Sequence, residues 1–149
     1  MLMNNYSFTP MKLLFSLLAL LFFISGFSQP KPVRTGVHSF TIQWISFNKA
    51  TPGKVVIKPA KNGTYTIEGE QRDNSRNEYV TIKGTIEAAN KNLNFNGKIV
   101  SRITSINNGQ PCELNGPAVF RASGSRKYWR LQQMLNCDNE TTDYIDIFF

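Results

Sequence analysis

The densest chemistry in this 149-residue chain is the run Arg126-Lys127-Tyr128-Trp129-Arg130. Gly124-Ser125 before it has the Gly-X composition of a type II′ two-residue hairpin turn, which sets Ser123 opposite Arg126. On that register Phe120 meets Trp129 and Arg121 meets Tyr128. One face is then apolar, with Ala118, Phe120, Trp129 and Leu131, while the other gathers Arg121, Arg126, Tyr128 and Arg130. Guanidiniums around a phenol suit a carboxylate, a phosphate or a sulfated sugar, through bidentate hydrogen bonds with cation–π support. The simpler reading is a solvated strand face whose arginines pair with acids on neighbouring strands; Asp143 and Asp146 are the candidate partners. Trp44 and Trp129 mark a second candidate site, for a ligand in a barrel mouth.

Other reactive residues are few. Cys112 and Cys137 are the chain's two cysteines, and in an oxidising compartment such a pair reads as a disulfide. Closing that loop of about 26 residues is worth roughly 3 kcal/mol of chain entropy. A metal site would need further ligands, and the lone His38 stands far away in sequence, so no metal or cofactor is expected. With one histidine, no spare thiol and no G-x-S-x-G, nucleophilic catalysis has little to build on. Paired carboxylates would suit a glycosidase, but Glu68 and Glu70 share a strand face crowded with Thr and Lys, which is how solvated charges look; Glu78 and Glu87 are the other glutamates on the expected strands. A hydrolase is thus the least favoured reading, and an enzyme is not expected.

The elements that must position these residues begin after a leader. Met11-Lys12 opens an apolar run from Leu13 to Phe27, with small residues at Gly26 and Ser28 where a signal peptidase requires them. This is the order of a secretory signal peptide, and about 15 apolar residues are short for a bilayer span. Residues 1–28 are read as the signal, with an upstream extension if Met11 is the start. Residues 29–36 are expected to be a disordered N-terminal segment and 37–149 a single β domain. From Gln29 onward there are 18 Val and Ile against 5 Leu and Met, with 10 Thr and 12 aromatics. β-Branched and aromatic residues suit a pleated sheet, so the fold class is all-β. The net charge of that part is +6, which favours anionic partners. Nucleic acid is not expected, because the charge is moderate and no recognition signature is present.

Period-two alternation places strands at 38–46, 55–58, 64–71, 78–87, 93–103, 118–123, 126–132 and 144–149. Eight antiparallel strands with mostly short connections make an up-and-down meander, closed as a small barrel, with a β-sandwich as the alternative. Gly69, Gly84 and Gly97 fall on the apolar face. A four-residue turn at 88–91 would set Phe95 opposite Gly84 and Ile82 opposite Gly97. An aromatic lying over a cross-strand glycine bends a sheet; the other reading is that the glycines leave room for a ligand. The Gly-x-Trp that opens the lipocalins is absent, Gly36 and Trp44 being eight apart.

The end of the sequence, Asp143-Tyr-Ile-Asp-Ile-Phe-Phe149, resembles the C-terminal strand signal of bacterial outer-membrane barrels, the smallest of which have eight strands. Spanning strands need about 9–11 residues, and those at 55–58 and 118–123 are shorter, so membrane association is not favoured. The leading expectation is an exported, non-enzymatic β-barrel binding module, secreted or periplasmic, for a small apolar or anionic ligand such as a lipid, glycan or carboxylate. A purely structural cell-envelope protein and an outer-membrane barrel are the alternatives. Oligomeric state is not legible.

Overall fold

The computed structural model describes residues 32–45 and 52–149; the expected signal peptide at 1–28 lies outside them. Eight strands follow one another around a closed antiparallel barrel, which excludes the sandwich. They are β1 Gly36–Ile42, β2 Gly53–Pro59, β3 Tyr65–Asp73 and β4 Glu78–Ala89. Then come β5 Asn92–Arg102, β6 Cys112–Arg121, β7 Tyr128–Leu131 and β8 Ile145–Phe148. β8 closes onto β1, with Phe40 opposite Ile147 and Ile42 opposite Ile145.

Alternation decides what fills the barrel. Phe40, Ile67, Ile82, Phe95, Phe120 and Ile147 point inward and are almost wholly buried. Phe95 and Phe120 meet edge to face at 6.1 Å. The middle of the barrel is therefore packed side chain, as eight strands allow. Outward positions carry the polar alternates, including the ion pairs Lys83–Glu68 at 2.9 Å and Lys98–Glu113 at 2.8 Å.

The two hairpin registers expected above are each displaced by two residues. β4 and β5 pair as Ala89–Asn92, Ile86–Phe95, Gly84–Gly97 and Ile82–Ile99. The turn is the two residues Asn90-Lys91, with Asn90 in the left-handed region at φ 58°, so both strands run closer to the turn than 88–91 would permit. The Phe95 ring still covers the glycines, now diagonally. A Cβ on Gly84 would stand 2.7 Å from the Phe95 ring, and one on Gly97 would stand 2.8 Å from it and 2.3 Å from the Lys83 carbonyl. These glycines accommodate close approach of ring and backbone; they do not hold open space for a ligand.

The turn at 123–126 does form, with the Arg126 N–H donating to the Ser123 carbonyl at 3.2 Å, but the ladder beyond it does not follow the expected register. β6 and β7 pair as Phe120–Leu131 and Arg121–Arg130. The strands have parted before the turn. Ala122 donates to the Lys91 carbonyl and so follows β5, while Tyr128, Trp129 and Arg130 follow β8. β6 also begins at Cys112, six residues earlier than the expected 118.

Of the segment 29–36, residues 32–36 are described, and they are docked instead of free. Val33 is 7% exposed and belongs to the core, and Gly36 opens β1. His38 fastens this segment to the seam: its Nε2 lies 2.8 Å from the Arg34 carbonyl and its Nδ1 2.8 Å from the Phe148 carbonyl.

Candidate functional site

Arg126, Tyr128 and Arg130 do come together. Arg126 lies 5.6 Å and Arg130 5.1 Å from the Tyr128 ring centre, and Arg121 stands opposite Arg130 on the same outward face. The charges are not equally available. Arg130 donates twice to Asp146, at 2.8 and 2.7 Å, and lies 4.3 Å from the Tyr144 ring. The hydrogen bonds to Asp146, partly opposed by burial, push the Arg130 guanidinium above its usual range and keep it protonated. Arg121 donates to the Asn92 side chain at 3.1 Å. One of the three cations is thus committed to a partly buried, two-pronged ion pair. Asp146 is one of the two acids expected as partners; Asp143 is engaged elsewhere.

The two tryptophans do not share a mouth. Trp44 follows β1 and donates its indole N–H to Asp143 at 2.9 Å. Trp129 pairs with Ile147 and packs on Phe149, with ring centres 4.1 Å apart. Residues 143 and 147 are separated along the chain into β8 by roughly 13 Å at strand rise. Antiparallel closure sends the end of β1 and the end of β8 to opposite ends of the barrel.

At the Trp129 end there is a cleft of 290 Å³, just below the usual lower size for a ligand pocket of about 300 Å³. Trp129, Phe149, Leu93 and Val33 give it apolar walls, and Arg34 and Lys91 bring positive charge. No carboxylate side chain is among its lining residues. Of the expected site residues only Trp129 belongs to it. Arg34 and Lys91 carried no signal in the sequence, because one lies in the segment before β1 and the other in the β4–β5 turn. Closure of the barrel brings them together.

The strand acids are placed as solvated or paired groups. Glu70 meets Arg72 at 2.7 Å, and that hydrogen bond holds its carboxyl below the usual range. Glu68 pairs with Lys83. Glu78 is buried but stands 2.9 Å from Arg76 and accepts from Thr104. Cys112 and Cys137 form the expected disulfide, with Cα atoms 5.5 Å apart. It joins the start of β6 to the chain between β7 and β8, and so ties the barrel wall together.

These features define a small closed eight-stranded β-barrel with a filled interior, one disulfide, and an apolar cleft with cationic lining at one end. The chain belongs to the PM1083 family, whose model matches residues 31–149. It is similar to a Pasteurella multocida (strain Pm70) protein described as "Uncharacterized protein PM1083". The two are 41% identical over 116 residues, which cover 76% of this chain and 72% of the relative. No solved structure matches.

Proposed function

We propose that this protein is an exported, non-enzymatic binding module that takes a small amphipathic anion, a carboxylate with an apolar tail, at the Trp129 end of its barrel. The observation that carries the reading is the composition of the cleft. Trp129, Phe149 and Leu93 give a tail an apolar surface, and Arg34 and Lys91 give a carboxylate opposite charge. The filled centre directs the ligand to the end of the barrel. Export is supported by the leader, by the disulfide and by a family match that begins at residue 31. An aqueous setting is supported by the distribution of polarity. Outer-membrane barrels turn an apolar band of about 25 Å outward, whereas this barrel turns Glu68, Lys83 and Lys98 outward and Phe40, Phe95 and Phe120 inward.

The test is titration of the Trp44→Phe protein with octanoate, reading Trp129 emission. A saturable shift that weakens at least tenfold on Lys91→Glu is expected. An equal response to octanol, or no saturable shift, overturns the reading. For export, the mature protein recovered from the cell envelope or medium should begin at Gln29. Retention of the leader on protein held in the cytoplasm defeats that part.

A further inference from the structure

β6 is ten residues long but pairs with β7 only at Phe120 and Arg121. Beyond those pairs, Val119 accepts from the Gln132 N–H at 2.8 Å and donates to the Gln133 side chain at 3.0 Å. The two chains then separate. They meet again at the disulfide, which lies at the turn of a short hairpin. In that hairpin Leu135 faces Thr142, the Asn136 N–H donates to Thr141, and the Asp143 N–H donates to Met134. A slot of 570 Å³ remains in the barrel wall, closed at one end by the ladder and at the other by a covalent bond.

Both rims of the slot present main chain. Val119 turns its N–H and carbonyl toward β7, so alternation turns those of Glu113 and Asn115 the same way. On the other rim, Asn136 and Asp143 hold the hairpin bonds on either side of Leu135. Leu135 is therefore the non-hydrogen-bonded position, and its own N–H and carbonyl point toward β6. Because the ladder closes one end and the disulfide the other, an added strand cannot run through the slot between the two rims. Its occupant is a small molecule.

The lining selects the charge. Ile99, Leu114, Leu131 and Ile145 supply an apolar wall, and no lysine or arginine lines the slot among the described residues. Glu113 is compensated by Lys98 at 2.8 Å. Among the described residues, the donors to Asp143 are neutral: Trp44 at 2.9 Å, Ser101 at 3.2 Å and Asn136 at 2.7 Å. The Asn136 amide nitrogen must face that carboxylate, which leaves its buried Oδ1 as an acceptor with no partner. A carboxylate with no cationic partner among the described residues, an unpartnered acceptor and rim carbonyls all ask for donors and positive charge.

We infer that the wall slot is a second binding site, for a small organic cation that carries an ammonium on an apolar body. Its preference is opposite to that of the Trp129 cleft, and it does not depend on that cleft. Trp44 adjoins Asp143, so it reports on the slot once Trp129 is removed. In the Trp129→Phe protein, octylammonium should shift Trp44 emission saturably, and at least tenfold more tightly than octanol. Octanoate should produce no shift. Leu135 is 62% exposed, so Leu135→Arg should leave the melting temperature unchanged and weaken octylammonium binding at least tenfold. Leu114→Phe, which fills the slot without adding charge, should weaken octylammonium and octanol alike. Equal binding of octylammonium and octanol, no saturable shift, or indifference to Leu135→Arg would each overturn the inference. The octanoate response of Trp129 is read separately in the Trp44→Phe protein, so either site can fail alone.

Discussion

Gly97→Ala reverses an ordinary expectation. Alanine for glycine at a compatible backbone position stabilises by about 0.4–1 kcal/mol, because the unfolded chain has less freedom to lose. Gly97 is an interior strand residue whose φ is not positive, so backbone conformation alone predicts a gain. The structure predicts a loss. The new Cβ would stand 2.3 Å from the Lys83 carbonyl oxygen, 2.6 Å from the Gly84 Cα and 2.8 Å from the Phe95 ring. A ring can move, but two of the three contacts are backbone in the paired strand, so β4 and β5 must part where Gly84 pairs with Gly97.

Overpacking of this kind costs roughly 1–3 kcal/mol, and subtracting the entropic gain leaves a net loss of about 1–2 kcal/mol. For a domain near this size that lowers the melting temperature by about 4–8 °C. Urea unfolding followed by tryptophan emission measures it, with an unchanged m-value showing that the unfolded state is not the cause. Phe95→Leu combined with Gly97→Ala should lose less than the two single changes together, because the ring contact is shared. If Gly97→Ala is as stable as the parent or more so, the reasoning fails, and the glycines do not govern how closely the strands approach.

Replacing both cysteines by serine should cost about 3–4 kcal/mol by the loop-entropy argument, seen as a lower urea midpoint that reductant reproduces in the parent; an unchanged midpoint would contradict the bridge's role in closing the wall. Arg130→Ala should destabilise by roughly 1–3 kcal/mol, since it leaves the 6%-exposed Asp146 without its two hydrogen bonds. Arg126→Ala, at an exposed turn, should stay within about 0.5 kcal/mol, and equal effects would mean that burial of the pair is unimportant. The carboxyls of Glu70, Asp73, Glu113 and Asp138 are all held below their usual range, chiefly by side-chain hydrogen bonds from Arg72, Ser75, Lys98 and Thr141 respectively. Depressed carboxyls contribute stability that is present above the unfolded value, near pH 4, and lost as pH falls through the folded value. The contribution of these four groups should therefore appear in a pH series of melting temperatures as a modest decline on the acid side of about pH 4, because they are exposed.

Residue type and alternation along the chain set the class of fold and the face each strand residue takes. Val, Ile, Thr and aromatic residues on alternate positions admit little but sheet, and a disulfide was the expectation for the chain's two cysteines. Both hairpin registers differ from the turn-based expectation by two residues, and neither error moved a side chain to the wrong face. Side chains alternate with a period of two, so a slip of two keeps Phe95 inside and Tyr128 outside while changing every partner. What selected the partners was tertiary: Asn90 tightening one turn, and β8 drawing Tyr128 and Trp129 away from β6. The clefts were decided in the same way. Arg34 and Lys91 meet Trp129 only because the barrel closes on itself, and the wall slot exists because β6 outruns its neighbour. A local pattern can specify which face a side chain takes, but the meeting of residues far apart along the chain depends on how the strands return to one another.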